Sequence, residues 1–157
     1  MDLDGFDDFA VGAPGMDGGG AESGGVMVFS GQTGAVLHTM DGLAPGDVLG
    51  VTVAGTSDVD GNGAADFTAG ASGADPNGSN SGEIYVWSGL TGSLIVTFTG
   101  PQAGDGLGTS LQGTGDIDGD SIPDLIAGAP GSDLVNPDAG RAFVYTCLLY
   151  TSDAADE

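Results

Sequence analysis

Two nine-residue runs concentrate the side chains able to do chemistry. Asp58-Val-Asp60-Gly-Asn62-Gly-Ala-Ala-Asp66 and Asp116-Ile-Asp118-Gly-Asp120-Ser-Ile-Pro-Asp124 both carry side-chain oxygens at loop positions 1, 3, 5 and 9. A hard divalent cation such as Ca²⁺ takes about six to eight oxygen ligands at about 2.3–2.6 Å, and a tight acidic loop can wrap them around one ion. Alternate positions converge on the ion, and the carbonyl of position 7, Ala64 or Ile122, adds a backbone ligand. Gly61, Gly63 and Gly119 permit the backbone angles of so tight a turn. A partial third copy opens the chain. There Asp2, Asp4 and Asp8 take positions 3, 5 and 9 and Phe6 takes position 7, but position 1 has no counterpart and Leu3 replaces the usual glycine of position 4.

Competing uses of these residues are weaker. An EF-hand needs a bidentate Glu at position 12 and flanking helices, whereas position 12 is Ala69 or Ala127 inside strand-like sequence. Dockerin-type loops also lie beside helices. Soft-metal sites need Cys or His clusters, and the chain has one of each. Paired carboxylates can serve glycosidic acid–base chemistry, but no nucleophile–base–orienter set accompanies them. Asp and Gly are also ordinary turn formers. Repetition at a fixed spacing favours a metal over that reading.

The spacing comes from an internal repeat. Residues 7–15, 65–73 and 123–131 align as DDFAVGAPG, ADFTAGASG and PDLIAGAPG, an offset of 58 each time. The same offset lays 25–36 on 83–94 and 46–61 on 104–119 without a gap. Each unit holds four β-rich runs, in the middle copy near 49–55, 66–71, 83–88 and 93–99. Four short antiparallel strands make one propeller blade, and such a unit must stack on neighbours to bury its faces. Phe29, Trp87 and Tyr145 recur at one strand position and read as inter-blade packing. His38 aligns with Val96 and Arg141 with Glu83, and both read as surface side chains.

Composition narrows the partners. Of 157 residues, 23 are acidic and one is basic, for a net charge of −22. That balance opposes nucleic acid and anionic lipid, which both need Lys and Arg. It also calls for cations to offset self-repulsion, so a saline habitat would suit it as well. The 32 glycines and high charge raise the question of disorder, but the chain is 39% hydrophobic, in clusters bounded by turn residues. A lone Cys147 gives no disulfide framework. No apolar run is long enough to cross a bilayer, and the first residues show no signal peptide.

These motifs resemble the FG-GAP repeat of integrin α subunits and related bacterial secreted proteins. The Gly-Ala-Pro element is Gly12-Ala13-Pro14 and Gly128-Ala129-Pro130, changed to Gly70-Ala71-Ser72 in the middle copy; the Phe-Gly element appears as Leu49-Gly50 and Leu107-Gly108. The resemblance covers 1–146 and implies an all-β, seven-bladed propeller with Ca²⁺ held between the first two strands of certain blades. On this reading 1–48 is a partial first blade, 49–106 a second and 107–146 a partial third, so that about three four-stranded blades of the ring are present and the remaining blades belong to a longer parent chain. The Ser-Gly-x-Thr-Gly turn followed by an apolar run is most similar to bacterial members. Residues Cys147–Glu157 match none of the repeat and resemble the in-frame translation of a transposon-end sequencing adaptor; they are expected to be non-native.

The function this implies is a non-enzymatic, calcium-binding scaffold, secreted or at the cell surface, that engages an extracellular protein or carbohydrate. The alternative is an accessory module of a larger secreted hydrolase or phospholipase-like enzyme, with its chemistry outside this sequence.

Overall fold

A computed structural model describes residues 1–133 and 139–147. The described chain runs through β1 (Phe9–Gly12), β2 (Gly25–Phe29), β3 (Val36–Asp41), β4 (Thr52–Gly55), β5 (Phe67–Ala71), β6 (Glu83–Trp87), β7 (Leu94–Thr99), β8 (Ser110–Gly113), β9 (Leu125–Ala129) and β10 (Arg141–Tyr145). They form three antiparallel sheets, β1-β2-β3, β4-β5-β6-β7 and β8-β9-β10. A shift of 58 residues lays β1–β3 on β5–β7 and β4–β6 on β8–β10, in strand bounds as well as in sequence. The fold is therefore all-β, a partial β-propeller of three blades. Among the described residues, only the middle blade shows all four strands. The counterpart of β7 in the third blade would fall at 152–157, outside the described residues, as does the rest of the divergent tail from 148 on.

Side chains alternate across a strand, so each blade offers two faces. On β6, Tyr85 and Trp87 point one way, into a core shared with Val26 and Val28 of the first blade and with Phe67 and Ala69 of β5. Ile84 and Val86 point the other way, into a second core with Leu107, Leu125 and Ala127 of the third blade. Trp87 stacks on Phe67 at 5.5 Å between centroids, and Phe98 of the second blade stacks on Tyr145 of the third at 4.3 Å. Of the recurring aromatics, Trp87 and Tyr145 pack at inter-blade seams, whereas Phe29 lies outside both cores and is half-buried against the exposed Phe9 of its own blade. Burying a side chain of this size is worth about 1.5–3 kcal/mol, so the seams carry much of the stability.

The Leu-Gly and Gly-Ala-Pro elements meet at those seams. The first strand of the middle blade starts later than its apolar run, at Thr52 rather than Leu49, because Leu49 forms a parallel bridge to Gly24 of the preceding blade. Leu49 N–H donates to Ser23 O at 3.0 Å, and Leu49 O accepts from Gly25 N–H at 2.9 Å. Leu107 repeats the bridge to Gly82. The next residue, Gly50 or Gly108, has φ of 85° or 87° and lies against Gly12 or Gly70 of the blade before. A Cβ on Gly12 would overlap Gly50 O, and one on Gly70 would overlap Gly108 O. The two motifs are the two halves of one backbone-on-backbone contact.

Gly70→Ala is expected to lower stability by about 1–3 kcal/mol, the usual range for overpacking. Gly15→Ala, at a site with open space around it, should change stability little. Urea unfolding of both variants checks this; a Gly70→Ala protein as stable as its parent would show the seam to be looser than described.

Candidate metal centre

Each acidic loop joins the first strand position of a blade to the second. In the middle blade it links β4 to β5, and in the third β8 to β9. The loops place three sets of carboxylates, Asp2/Asp4/Asp8, Asp58/Asp60/Asp66 and Asp116/Asp118/Asp120, with one oxygen of each residue within 4.8 Å of the others in its set. Like charges this close repel, and the loops hold them by aiming backbone N–H groups at them. Asp58 accepts from Asn62 N–H at 3.0 Å and Gly63 N–H at 2.7 Å, Asp60 from Asn62 N–H at 3.1 Å, and Asn62 Oδ1 from Ala64 N–H at 2.8 Å. The third loop repeats the pattern, with Ser121 N–H on Asp116 at 2.8 Å, Asp120 N–H on Asp118 at 3.2 Å and Ile122 N–H on Asp120 at 2.8 Å. Position 4 takes positive φ in every copy, 74° at Gly61, 89° at Gly119 and 62° at Leu3. Only Leu3 carries the strain a Cβ brings to that region.

The position-9 Asp does different work. Asp66 is fully buried, with Oδ2 accepting from Val59 N–H at 2.7 Å and Asp60 N–H at 3.3 Å, and Oδ1 accepting from Gly89 N–H at 2.8 Å. Gly89 lies in the hairpin turn between β6 and β7, so this one carboxylate ties the acidic loop to that turn. The same tie recurs 58 residues on either side. Asp8 accepts from Gly31 N–H at 2.9 Å, and Asp124 accepts from Ile117 N–H at 2.7 Å and Cys147 N–H at 3.3 Å. Asp124 is turned towards these donors and is not one of the three mutually close carboxylates of its loop. In the first copy Met1 replaces Val59, and Asp8 Oδ2 accepts from Asp2 N–H at 2.9 Å, as Asp66 Oδ2 does from Asp60 N–H.

The turn glycine belongs to the site, although its repetition reads in sequence only as a turn. A Cβ on Gly31 or Gly89 would overlap the carbonyl oxygen of Asp7 or Ala65. Cys147 holds that position in the third copy, and its bond to the Asp is the longest of the three. Ser88 is a second contributor that spacing alone does not assign. Its hydroxyl accepts from Asn62 Nδ2 at 2.9 Å; the third copy has Asp120 and Thr146 at these positions, where the same tie would need the hydroxyl to donate.

Surroundings set the electrostatics. Burial, partly countered by the Gly89 and Val59 N–H groups and reinforced by the charge of Asp60, raises the Asp66 carboxyl above the ordinary range. Burial and the charges of Asp124 and Asp120 push the Cys147 thiol up to about 11. The middle loop is also the most enclosed. Asp58 and Asp60 are half-buried and Ala64 is buried, whereas Asp2, Asp4, Asp116, Asp118 and Asp120 are exposed, as is Phe6. Ile122 is half-buried.

The FG-GAP repeat family matches residues 107–145, from the Leu-Gly seam through the acidic loop to the end of β10. Those residues are an FG-GAP repeat. The chain is also 39% identical over 83 residues to integrin alpha-5 of Xenopus laevis, an alignment covering 48% of this chain and 8% of that protein. The match to the relative thus spans a small part of its length. The chain carries a repeat that matches FG-GAP and is similar in part to an integrin α subunit, and the 58-residue period extends the same pattern through the two preceding units of the partial propeller. Two side chains expected at the surface are partly enclosed. His38 is half-buried with Nε2 2.9 Å from Gly89 O, across the seam, and Arg141 lies over the Phe143 ring at 5.2 Å. His38 is enclosed because the turn of the neighbouring blade lies against it, and Arg141 because its side chain lies over a ring of its own strand.

If Asp66 and Gly89 act as one tie, Asp66→Asn and Gly89→Ala should each destabilise by about 1–3 kcal/mol, and the double variant should lose clearly less than the sum. A double-mutant cycle in urea measures this, and simple additivity would refute the tie.

Proposed function

We propose that the three acidic loops bind calcium and that the repeats serve as a calcium-stiffened scaffold, secreted or at the cell surface, for an extracellular protein or carbohydrate. The observation that carries this reading is the clustering of oxygen donors without side-chain cations. The whole chain has a single Lys or Arg, and the carboxylates of each loop converge all the same. The donor set is all oxygen, as a hard cation requires. In the middle loop Asp58, Asp60, Asn62, Asp66 and the Ala64 carbonyl would hold the ion. In the third, Asp116, Asp118, Asp120, Asp124 and the Ile122 carbonyl would do so, and in the first Asp2, Asp4, Asp8 and the Phe6 carbonyl. The backbone N–H bonds leave free lone pairs, since each carboxylate oxygen offers more than one. Bound calcium would supply the positive charge that the loops otherwise draw from N–H dipoles. The middle loop, with the most enclosed ligands and the Asn62–Ser88 tie, would be the tightest.

The relative's name, integrin alpha-5, supports placing the scaffold outside the cell, and the same likeness supports a binding role over a catalytic one. We take 1–48, 49–106 and 107–146 as successive repeat units of a seven-bladed ring completed by further blades, with 147–157 outside the repeat.

Calcium at 10–100 times a site's Kd should stabilise the fold by about 1.4–2.7 kcal/mol per occupied site. Melting with calcium and with chelator measures the gain. Asp58→Ala and Asp116→Ala should each shrink the calcium-dependent part, Asp58→Ala by more. Identical melting temperatures in the two conditions for the parent chain would overturn the calcium reading.

A further inference from the structure

On the scaffold reading above, we infer that the cleft between the first two blades receives an arginine side chain of the partner protein, its stem among Leu43, Leu49 and Leu94 and its guanidinium beside Tyr85 and Asp47. The cleft has a volume of about 210 Å³ and a mostly apolar wall, with Tyr85 and Trp87 stacked at 5.3 Å along one side. That is smaller than the roughly 300–1,000 Å³ of small-molecule pockets and suits one long side chain. Its place in the ring keeps it open. β4 lies against β1 and β8, so the first strands stand at the inner end of the blades, and β3 and β7, at the opposite sheet edges, stand at the perimeter. Met40–Leu43, at the end of β3, and Leu94, at the start of β7, border the cleft there. Blades added beyond the first or the third stack on their far faces and leave this seam as it is.

Carboxylates border the cleft, and no Lys or Arg lines it. Asp47 is 7% exposed; its Oδ2 accepts from Ala44 N–H at 2.8 Å, and its Oδ1 accepts no hydrogen bond among the described residues. Tyr85 donates its hydroxyl to Glu83. Burial, that bond and the charges of Glu83 and Asp47 push the Tyr85 hydroxyl above its ordinary range. The second seam identifies the occupant. A shift of 58 residues carries Met40, Glu83, Tyr85 and Trp87 onto Phe98, Arg141, Phe143 and Tyr145. There Phe98 stacks on Tyr145 at 4.3 Å, and the Arg141 guanidinium lies over the Phe143 ring at 5.2 Å. The chain thus fills that seam with its own ring and its own cation. At the first seam Met40 stands in place of the ring and Glu83 in place of the cation, which leaves space and excess negative charge. A guanidinium packs on aromatic rings and is more weakly hydrated than an ammonium, which favours arginine over lysine. A sugar would need several polar partners that this wall does not offer.

Trp87 is the chain's single tryptophan, so its fluorescence reports occupancy of the cleft. Nα-acetyl-arginine amide, titrated into the full chain at about 0.15 M salt, should shift that fluorescence saturably, with a Kd on the order of millimolar. Nα-acetyl-citrulline amide, similar in shape but uncharged, should bind about tenfold more weakly. Asp47→Asn, which keeps an oxygen for Ala44 N–H, should weaken arginine binding several-fold. Met40→Phe, which imports the ring of the second seam, should abolish the response, with circular dichroism to confirm that both variants keep the parent's fold. Citrulline bound as well as arginine, a folded Met40→Phe chain that responds like the parent, or a response to methyl β-glucoside and not to arginine would each overturn the inference. So would a parent chain with no saturable response, and the citrulline comparison needs no variant. A chain that calcium stabilises and arginine leaves unchanged would lose this inference and keep the calcium scaffold; arginine binding without calcium stabilisation would do the reverse.

Discussion

A blade that is apolar on both faces is unstable by itself. Alternation along β6 sends Tyr85 and Trp87 to one side and Ile84 and Val86 to the other, so no single layer of protein can cover them. The solution is a neighbour on each side, and every other feature of the fold serves that approach. Gly50 against Gly12 and Gly108 against Gly70 bring backbone into contact with backbone where a methyl group would hold it off. The Leu49 and Leu107 bridges then fix the height at which one blade meets the next.

With the faces committed to packing, chemistry is left to the ends of the strands. The acidic loops lie there, and they are built less as open turns than as part of the blade. A single buried carboxylate, Asp66, holds its own loop through Val59 and Asp60 and a hairpin turn through Gly89. The remaining carboxylates are held close by N–H groups of the same loop. An arrangement that gathers like charges this way is poised for a cation, and its rigidity comes from the strands on either side.

Much of this was legible in the residues. The 58-residue offset located the blades, because an ungapped repeat of four strand-like runs has few architectures open to it, and the oxygen periodicity located the loops. The strand bounds agreed to within three residues in the middle blade, and the largest shift, Leu49 to Thr52, arose where an apolar residue serves the neighbouring blade and not its own sheet. What local sequence did not disclose were contacts across long stretches of chain. The Asp66–Gly89 tie spans 23 residues and the His38–Gly89 contact spans 51. A turn glycine and a strand histidine look ordinary until the fold brings them to their partners. The signal that was available for Gly89 was its repetition in step with the Asp, at 31 and 8 as at 89 and 66.

The ungapped period has a bearing on how such a chain can change over generations. Because each unit ends in the face that the next begins by covering, an exchange between gene copies that replaces one unit by another, 58 codons for 58, leaves every seam intact. No compensating substitution is then needed at the junction, since Leu49 and Leu107 make the same bridge and Gly50 and Gly108 the same contact. One unit can thereby stand in for another within the ring, and the strictest demand on sequence falls on the few glycines where two backbones touch.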